Sequence, residues 1–220
     1  MLSPRQQIVK RIFDICLAML GLVATGWIIV LTALFARMDT GRRGFFRQLR
    51  VGREGRIFSI LKIRTMRDSP SHATTVTTAD DPRITRFGRL LRATKMDELP
   101  QLINVLIGDM SFVGPRPDVP EVAGQLTGVT STILSVRPGI TGPASLKYRR
   151  EEQLLAAQAD PERFNQEVLF PDKVRINAQY VADYSFFGDL KYLWHTLMSS
   201  SMVVPSQTQP PEANDAKQAA

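Results

Sequence analysis

The sequence predicts an α+β protein that is predominantly helical, with an N-terminal membrane-inserted, re-entrant helix, amphipathic interfacial helices and a small β-hairpin. Three observations carry that prediction. Residues 15–36 are an apolar run of 22 residues without a charge, flanked on both sides by arginine and lysine. Residues 45–64 change to short extended pieces around Gly52-Arg-Glu-Gly55. From residue 84 onward, apolar side chains recur at helical spacing beside arginines.

Length and composition set the frame. A chain of 220 residues has room for one domain with a moderate core, an anchor and a tail. The expected division is a membrane-inserted anchor over 1–40, a cytoplasmic catalytic domain over 41–200 and a disordered tail over 201–220. The net charge of +7 implies an anionic partner, for which nucleic acid, anionic lipid and a nucleotide sugar all qualify. Aromatic residues make up 8% and no recognised module interleaves them with the basic stripe, so no nucleic-acid partner is expected. The single cysteine, Cys16, excludes an internal disulfide, and its apolar surroundings predict a buried small hydrophobe.

Taken in order, the apolar run is long enough to cross a hydrocarbon core as a helix and too long for a cleavable leader. Arg5, Lys10 and Arg11 precede it, and Arg37, Arg42, Arg43, Arg47 and Arg50 follow. Both flanks prefer the cytoplasm, which a helix entering and leaving by one face satisfies. Asp14 lies one turn from Arg11, so the two are expected to pair. In the hairpin, Lys62 and Arg64 share one face if the segment is a strand. Residues 67–80, with His72, read as a loop. Ile84, Phe87, Leu90 and Leu91 then make an apolar stripe beside Arg83, Arg86, Arg89 and Arg92, which suits either a lipid-facing or a solvated surface.

Next comes the stretch around which the chain is organised. Leu99, Leu102, Ile103 and Leu106 fall at i, i+3, i+4 and i+7 on a helix that Gly108 can end. Thr94 or Asp97 can cap its start, and Pro100 is tolerable only in the first turn. The adjacent carboxylates Asp97 and Glu98 therefore open a helix, where such residues often serve as plain caps. Their setting between the upstream arginines and Arg116, in the stiff Gly114-Pro-Arg-Pro117 segment, favours a metal and phosphate site instead. Arg137-Pro-Gly-Ile-Thr-Gly142 imposes a second defined loop, read as pocket wall. Residues 151–184 are helical in pattern with breaks at Pro161 and Pro171. A last helix starts near Asp189 and aligns Leu190, Leu193, Trp194 and Leu197, for packing on the core or a membrane interface.

Arg11-Ile-Phe-Asp14, Lys62-Ile-Arg-Thr-Met66, Asp81-Pro-Arg-Ile-Thr-Arg-Phe-Gly88, Asp97-Glu-Leu-Pro-Gln101, Gly108-Asp-Met-Ser-Phe-Val-Gly-Pro-Arg-Pro117 and Arg137-Pro-Gly-Ile-Thr-Gly142, in this order, resemble the bacterial monotopic phosphoglycosyl transferases. The resemblance covers most of the chain. It implies transfer of a sugar-1-phosphate from a UDP-sugar to polyprenyl (undecaprenyl) phosphate, with release of UMP, at the cytoplasmic face of a bacterial inner membrane, to initiate exopolysaccharide or other glycan assembly. Asp97 would be the nucleophile of a ping-pong cycle and Glu98 the ligand of Mg2+. Arg92, Arg116, Lys62 and Arg64 would bind substrate phosphates, and Pro115, Pro117, Arg137, Pro138 and Gly139 would form the pocket loops. A phospholipid membrane is an implied partner; homo-oligomerisation is left open. Relatives usually break the anchor with Ser-Pro, whereas this chain has Ala24-Thr25-Gly26-Trp27, and after Gly142 it departs from their Trp-Ala-Gln, which leaves the sugar open. The rival reading is a non-enzymatic basic membrane adaptor, which accounts for charge and apolar run but not for the ordered motifs.

Overall fold

The computed structural model describes residues 2–68, 77, 78, 80–120 and 128–201. The expected loop around His72, the helical segment just beyond Pro117 and the tail after 201 lie mostly outside these residues. Helix α1 runs Pro4–Thr40, 37 residues or about 55 Å at 1.5 Å per residue. Ser3 and Gln6 form a capping box at its start, Pro4 occupies the first turn, and Gly41 ends it in the left-handed region at φ 69°.

Helix α1 is continuous, so the break that relatives place at the position of residues 24–27 is absent and the helix does not turn back as a re-entrant one would. Without proline every one of those residues keeps its N–H, and Thr25 donates its hydroxyl to the Gly21 carbonyl (2.7 Å) inside the helix instead of stabilising a break. The helix lies along the rest of the protein over its whole length. Lys10, Asp14, Ala18, Ile29, Thr32, Ala33 and Ala36 make the buried stripe, at close to the helical period. The outer face carries exposed Ile12, Leu20, Val23, Trp27, Leu31 and Phe35. Cys16 is on that exposed face, not buried as expected, because the period that buries Asp14 and Ala18 turns residue 16 outward.

Strands β1 (Phe45–Val51) and β2 (Ile57–Ile63) pair antiparallel, with Phe46 opposite Lys62. The expected turn is there, with Glu54 at φ 58° and Gly55 at φ 76°. Gly44 is obligatory: a Cβ there would stand 1.8 Å from the Ala33 carbonyl oxygen, so α1 and the hairpin touch through backbone. Helix α2 (Arg86–Ala93) is capped by Thr85, and α3 (Gln101–Ile107) ends at Gly108 with φ 102°. Strands β3 (Ser111–Val113) and β4 (Gly139–Thr141) form a short parallel pair.

The helical C-terminal third comprises α4 (Pro143–Lys147), α5 (Glu151–Ala156), α6 (Pro161–Phe164), α7 (Phe170–Ala182) and α8 (Phe186–Ser201). Pro161 starts α6, as expected. Pro171 does not break the chain of helices, because a π turn over Asn165–Leu169 leads into α7 just before the proline that lacks a donor. In α8 the expected stripe divides: Leu193, with Tyr192, packs on Val113, Val136, Tyr180 and Val181, while Trp194 and Leu197 stay exposed.

Three small apolar clusters make the core. One joins Ala18 to Phe58, Ile60, Val105 and Met110, a second joins Ile29, Ala33 and Ala36 to Ile63 and Leu91, and the third lies under α8. Two of the three include α1, so the apolar helix is part of the core as well as of the surface.

Candidate active site

Two clamps fix α3. At its C-terminal end, where helix carbonyls lack partners, Arg11 donates Nη1 to the Val105 carbonyl (2.6 Å) and Nη2 to that of Leu106 (2.8 Å). Arg137 donates Nε to the Gly108 carbonyl (2.8 Å). On its flank, Asn104 accepts from the Leu61 N–H (3.0 Å) and donates to the Ser59 carbonyl (2.9 Å), taking the place of a further strand on the open edge of β2. Arg11 and Asp14 therefore diverge instead of pairing. Asp14 accepts from the Ser111 hydroxyl and the Phe112 N–H, both at 3.1 Å, tying α1 to β3.

Between α2 and α3 the chain reverses at Lys95, a non-glycine residue in the left-handed region at φ 58°. A 3-10 turn over Met96–Glu98 follows, and it places both carboxylates inside the protein: Asp97 is 6% and Glu98 9% exposed. Neither expected cap forms. Thr94 donates back to the Leu90 carbonyl in α2, and Pro100 occupies the cap position of α3. The buried side of α3 is also more polar than its apolar spacing predicts, since Gln101 and Asn104 are buried with Leu102 and Val105 while Ile103 is 38% exposed.

The two carboxylates have different surroundings. Glu98 Oε1 accepts from Arg116 Nη2 (2.7 Å) and from Lys62 Nζ (3.3 Å). Burial pushes its pKa up, but Arg116 and Lys62 outweigh burial and hold it well below the usual carboxylate range. Arg116 is correspondingly raised by Glu98, while burial lowers Lys62 despite the Glu98 charge. Asp97 has no such clamp, and its Oδ1 is buried without a hydrogen-bond partner. Burial and then the charge of Glu98 push its pKa up, against weaker opposition from Lys62, Lys95 and Arg92. One carboxylate is thus locked in its ionised form, and the other is left basic with a free oxygen.

The loop bearing Arg116 is held on both sides. The Gly114 N–H donates to the Thr141 carbonyl (2.9 Å), the Gly139 N–H to the Pro115 carbonyl (2.8 Å) and Arg50 to the Pro117 carbonyl (3.1 Å). Pro115, Arg116, Pro117 and Pro138 line only a cavity of about 20 Å3, about enough for one water. Of the expected phosphate ligands, the structure brings Lys62 and Arg116 to the carboxylates. Arg92 is close enough to act on the charge of Asp97, but its guanidinium pairs with Glu152 and approaches Met66 Sδ (3.7 Å). Arg64 is held elsewhere: β2 ends at Ile63, and Arg64 donates to the Arg43 carbonyl (3.0 Å) and Asp68 (3.2 Å) while lying over the Phe46 ring.

Asn104, Gln101, Arg50 and the clamping role of Arg137 are the positions that sequence reasoning missed. A polar residue at an otherwise apolar helical position, as at 101 and 104, was the available signal. Among the described residues no group of three or more His, Cys, Asp and Glu is placed to hold a metal. Glu98, beside the unpartnered Asp97 oxygen, is the carboxylate that could hold Mg2+, which commonly takes one or two carboxylates and completes its shell with water and substrate phosphates.

The family whose description is "Bacterial sugar transferase" matches residues 5–202. The chain is 36% identical over 190 residues to the uncharacterized sugar transferase EpsL of Bacillus subtilis, covering 86% of each protein. It is 34% identical over 204 residues to a UDP-glucose:undecaprenyl-phosphate glucose-1-phosphate transferase of Caulobacter vibrioides, covering 86% of this chain and 68% of the relative. With the Escherichia coli protein of the same name it is 33% identical over 200 residues, 89% of this chain but 41% of the relative. The match runs from α1 through α8 and spans the acidic turn, both loops and their clamps, and on that extent the chain belongs to the bacterial sugar transferase family.

Proposed function

We propose that this protein transfers a sugar-1-phosphate from a UDP-sugar to polyprenyl phosphate at the cytoplasmic face of the bacterial inner membrane, initiating glycan assembly. The observation that carries the reading is the division of labour in the acidic pair. Asp97 has a free, basic oxygen beside a Glu98 that Arg116 and Lys62 keep ionised.

In the proposed cycle an Asp97 oxygen attacks the β-phosphorus of the UDP-sugar. The new P–O bond forms as the bond to the bridging oxygen breaks, and UMP leaves with that oxygen. A phosphate oxygen of the polyprenyl phosphate then attacks the same phosphorus, the Asp97–phosphorus bond breaks, and the carboxylate is regenerated. Lys62 and Arg116, drawn toward Glu98, place two cations where the diphosphate charge must be offset. Mg2+, held by Glu98, would supply further charge neutralisation when bound.

Helix α1 supports membrane attachment. Its hydropathy and length are those of a membrane segment, and its outer face is apolar from Ile8 to Met38. A helix that lies along the body of the protein lets both basic flanks stay on one side without a break, and this supports the reading of a monotopic anchor.

The test is UMP release from a panel of UDP-sugars by the full chain in detergent, with Mg2+ and undecaprenyl phosphate, against Asp97→Asn. Release with one donor, abolished by Asp97→Asn and by EDTA, is expected. Undiminished polyprenyl product from Asp97→Asn would refute the covalent step.

A further inference from the structure

A second charged cleft, separate from the acidic pair, opens beside the C-terminal half of α1. It has a volume of about 690 Å3 and is walled by Val30, Ala33 and Leu34 of the helix and by Phe45 and Phe46 of β1, with Arg37, Arg43, Arg47 and Arg64 around it. Its floor is rigid. Gly44 sits against the Ala33 carbonyl, and Arg64, lying over Phe46, donates to the Arg43 carbonyl.

The charges of this cleft are not balanced from within. Of the four arginines, Arg64 pairs with Asp68, which also holds Arg42, and Asp39 lies 3.8 Å from Arg67. Among the described residues, Arg37, Arg43 and Arg47 form no ion pair, and all three are exposed. Three arginines without an ion pair among the described residues thus line an apolar trough whose Val30 and Leu34 walls continue into the outer face of α1. A phosphate carrying acyl chains meets both halves of it, since guanidinium forks match phosphate oxygens and the apolar helix face matches the chains.

We propose that this cleft binds the headgroup of an anionic glycerophospholipid, with the phosphate between Arg37, Arg43 and Arg47 and the acyl chains along Val30 and Leu34. The inference rests on the membrane-bound reading of α1 and not on the transfer chemistry. Asp97, Glu98, Lys62, Arg92 and Arg116 do not line the cleft, so it is distinct from the candidate active site. Phe46 nevertheless pairs across the hairpin with Lys62, so a lipid seated there would set the depth at which the acidic pair meets the membrane.

The experiment reconstitutes the full chain in nanodiscs of equal phosphatidylglycerol and phosphatidylcholine, releases it and counts retained lipids by native mass spectrometry. Phosphatidylglycerol should be retained with about thirtyfold preference or more, as two or three arginines near an anionic surface provide. Arg43→Gln with Arg47→Gln should bring the ratio to that of the bulk lipid, whereas lysine at both positions should keep it. If the double variant does not fold, Arg37→Gln alone should lower the preference. Equal retention of the two lipids by the wild type, or a ratio unmoved by the glutamine variants, would overturn the site while leaving membrane binding intact. Displacement of phosphatidylglycerol by one equivalent of undecaprenyl phosphate would assign the cleft to the acceptor, and displacement by inorganic phosphate would make it a general anion site; either result refutes the proposal. Retention of no lipid would refute the membrane-bound reading itself.

Discussion

Replacing Asn104 by alanine isolates the link between α3 and the hairpin. Asn104 is 3% exposed and satisfies two backbone groups of β2 at once, the Leu61 N–H and the Ser59 carbonyl. The substitution removes both partners without moving a charge. A buried polar group left unpaired costs about 1–3 kcal/mol, and these two are only part-buried, so the sum should be about 2–4 kcal/mol. The loss is local to the strand that carries Lys62 toward Glu98. Hydrogen exchange of the Leu61 amide in detergent is the assay, and a loss of about 2 kcal/mol corresponds to roughly thirtyfold faster exchange. UMP release should fall with it, because Lys62 no longer has a fixed strand behind it. Asn104→Asp keeps the acceptor for Leu61 but sets a carboxylate oxygen against the Ser59 carbonyl, so it should recover the amide protection only in part. An unchanged exchange rate at Leu61 in Asn104→Ala would show that the side chain does not stabilise the edge of β2.

Asp97→Asn should abolish turnover and yet raise the melting temperature, because the ionised carboxylate is buried beside Glu98. The sign follows from linkage: an acid raised in the folded state costs nothing below its unfolded pKa and costs increasingly as pH rises toward the folded value. The advantage of the variant should therefore shrink on acidification, and a melting temperature lower than wild type at neutral pH would contradict it. Glu98→Gln removes the negative charge beside Asp97, so the acid limb of any residual UMP release should move to lower pH; a limb that stays in place would separate the two carboxylates. The pair between Lys10 and Asp189, with side chains 9% and 3% exposed, joins α1 to α8. Lys10→Met alone should destabilise by about 3–5 kcal/mol, and Lys10→Met with Asp189→Leu should recover much of it in thermal unfolding; equal losses in both would rule out the unpaired charge as the cause. Gly44→Ala should separate α1 from the hairpin, read as loss of protection at Ile63, since its Cβ would meet a backbone oxygen that cannot yield.

Much of this was legible in the chain because it depends on neighbours in sequence. The apolar run, the Gly52–Gly55 turn, the glycine stop at 108 and the proline start at 161 are local, and each element forms where its residues dictate. The acidic pair, and Lys62 and Arg116 as phosphate-binding cations, were candidates from residue chemistry and the family motifs, but the pairing of both cations with Glu98 was not among them. What the chain order could not disclose was which charges meet. Arg11 leaves Asp14 for the end of α3, Arg64 turns to Arg43 and Asp68, and Arg92 pairs with Glu152, sixty positions away. Hydropathy spacing likewise placed apolar residues on the buried face of α3, whereas packing against the open edge of β2 required the amide of Asn104. An exposed strand edge needs a donor and an acceptor, and only the three-dimensional arrangement says which side chain stands opposite it. The same holds for α1. Its length and apolar character are properties of the sequence, but its course along the protein was decided by backbone contact at Gly44, the clamp of Arg11 and the buried pair with Asp189. Interactions such as those of Arg11 with Val105 and Lys10 with Asp189, 94 and 179 positions apart, leave no periodic trace in the chain.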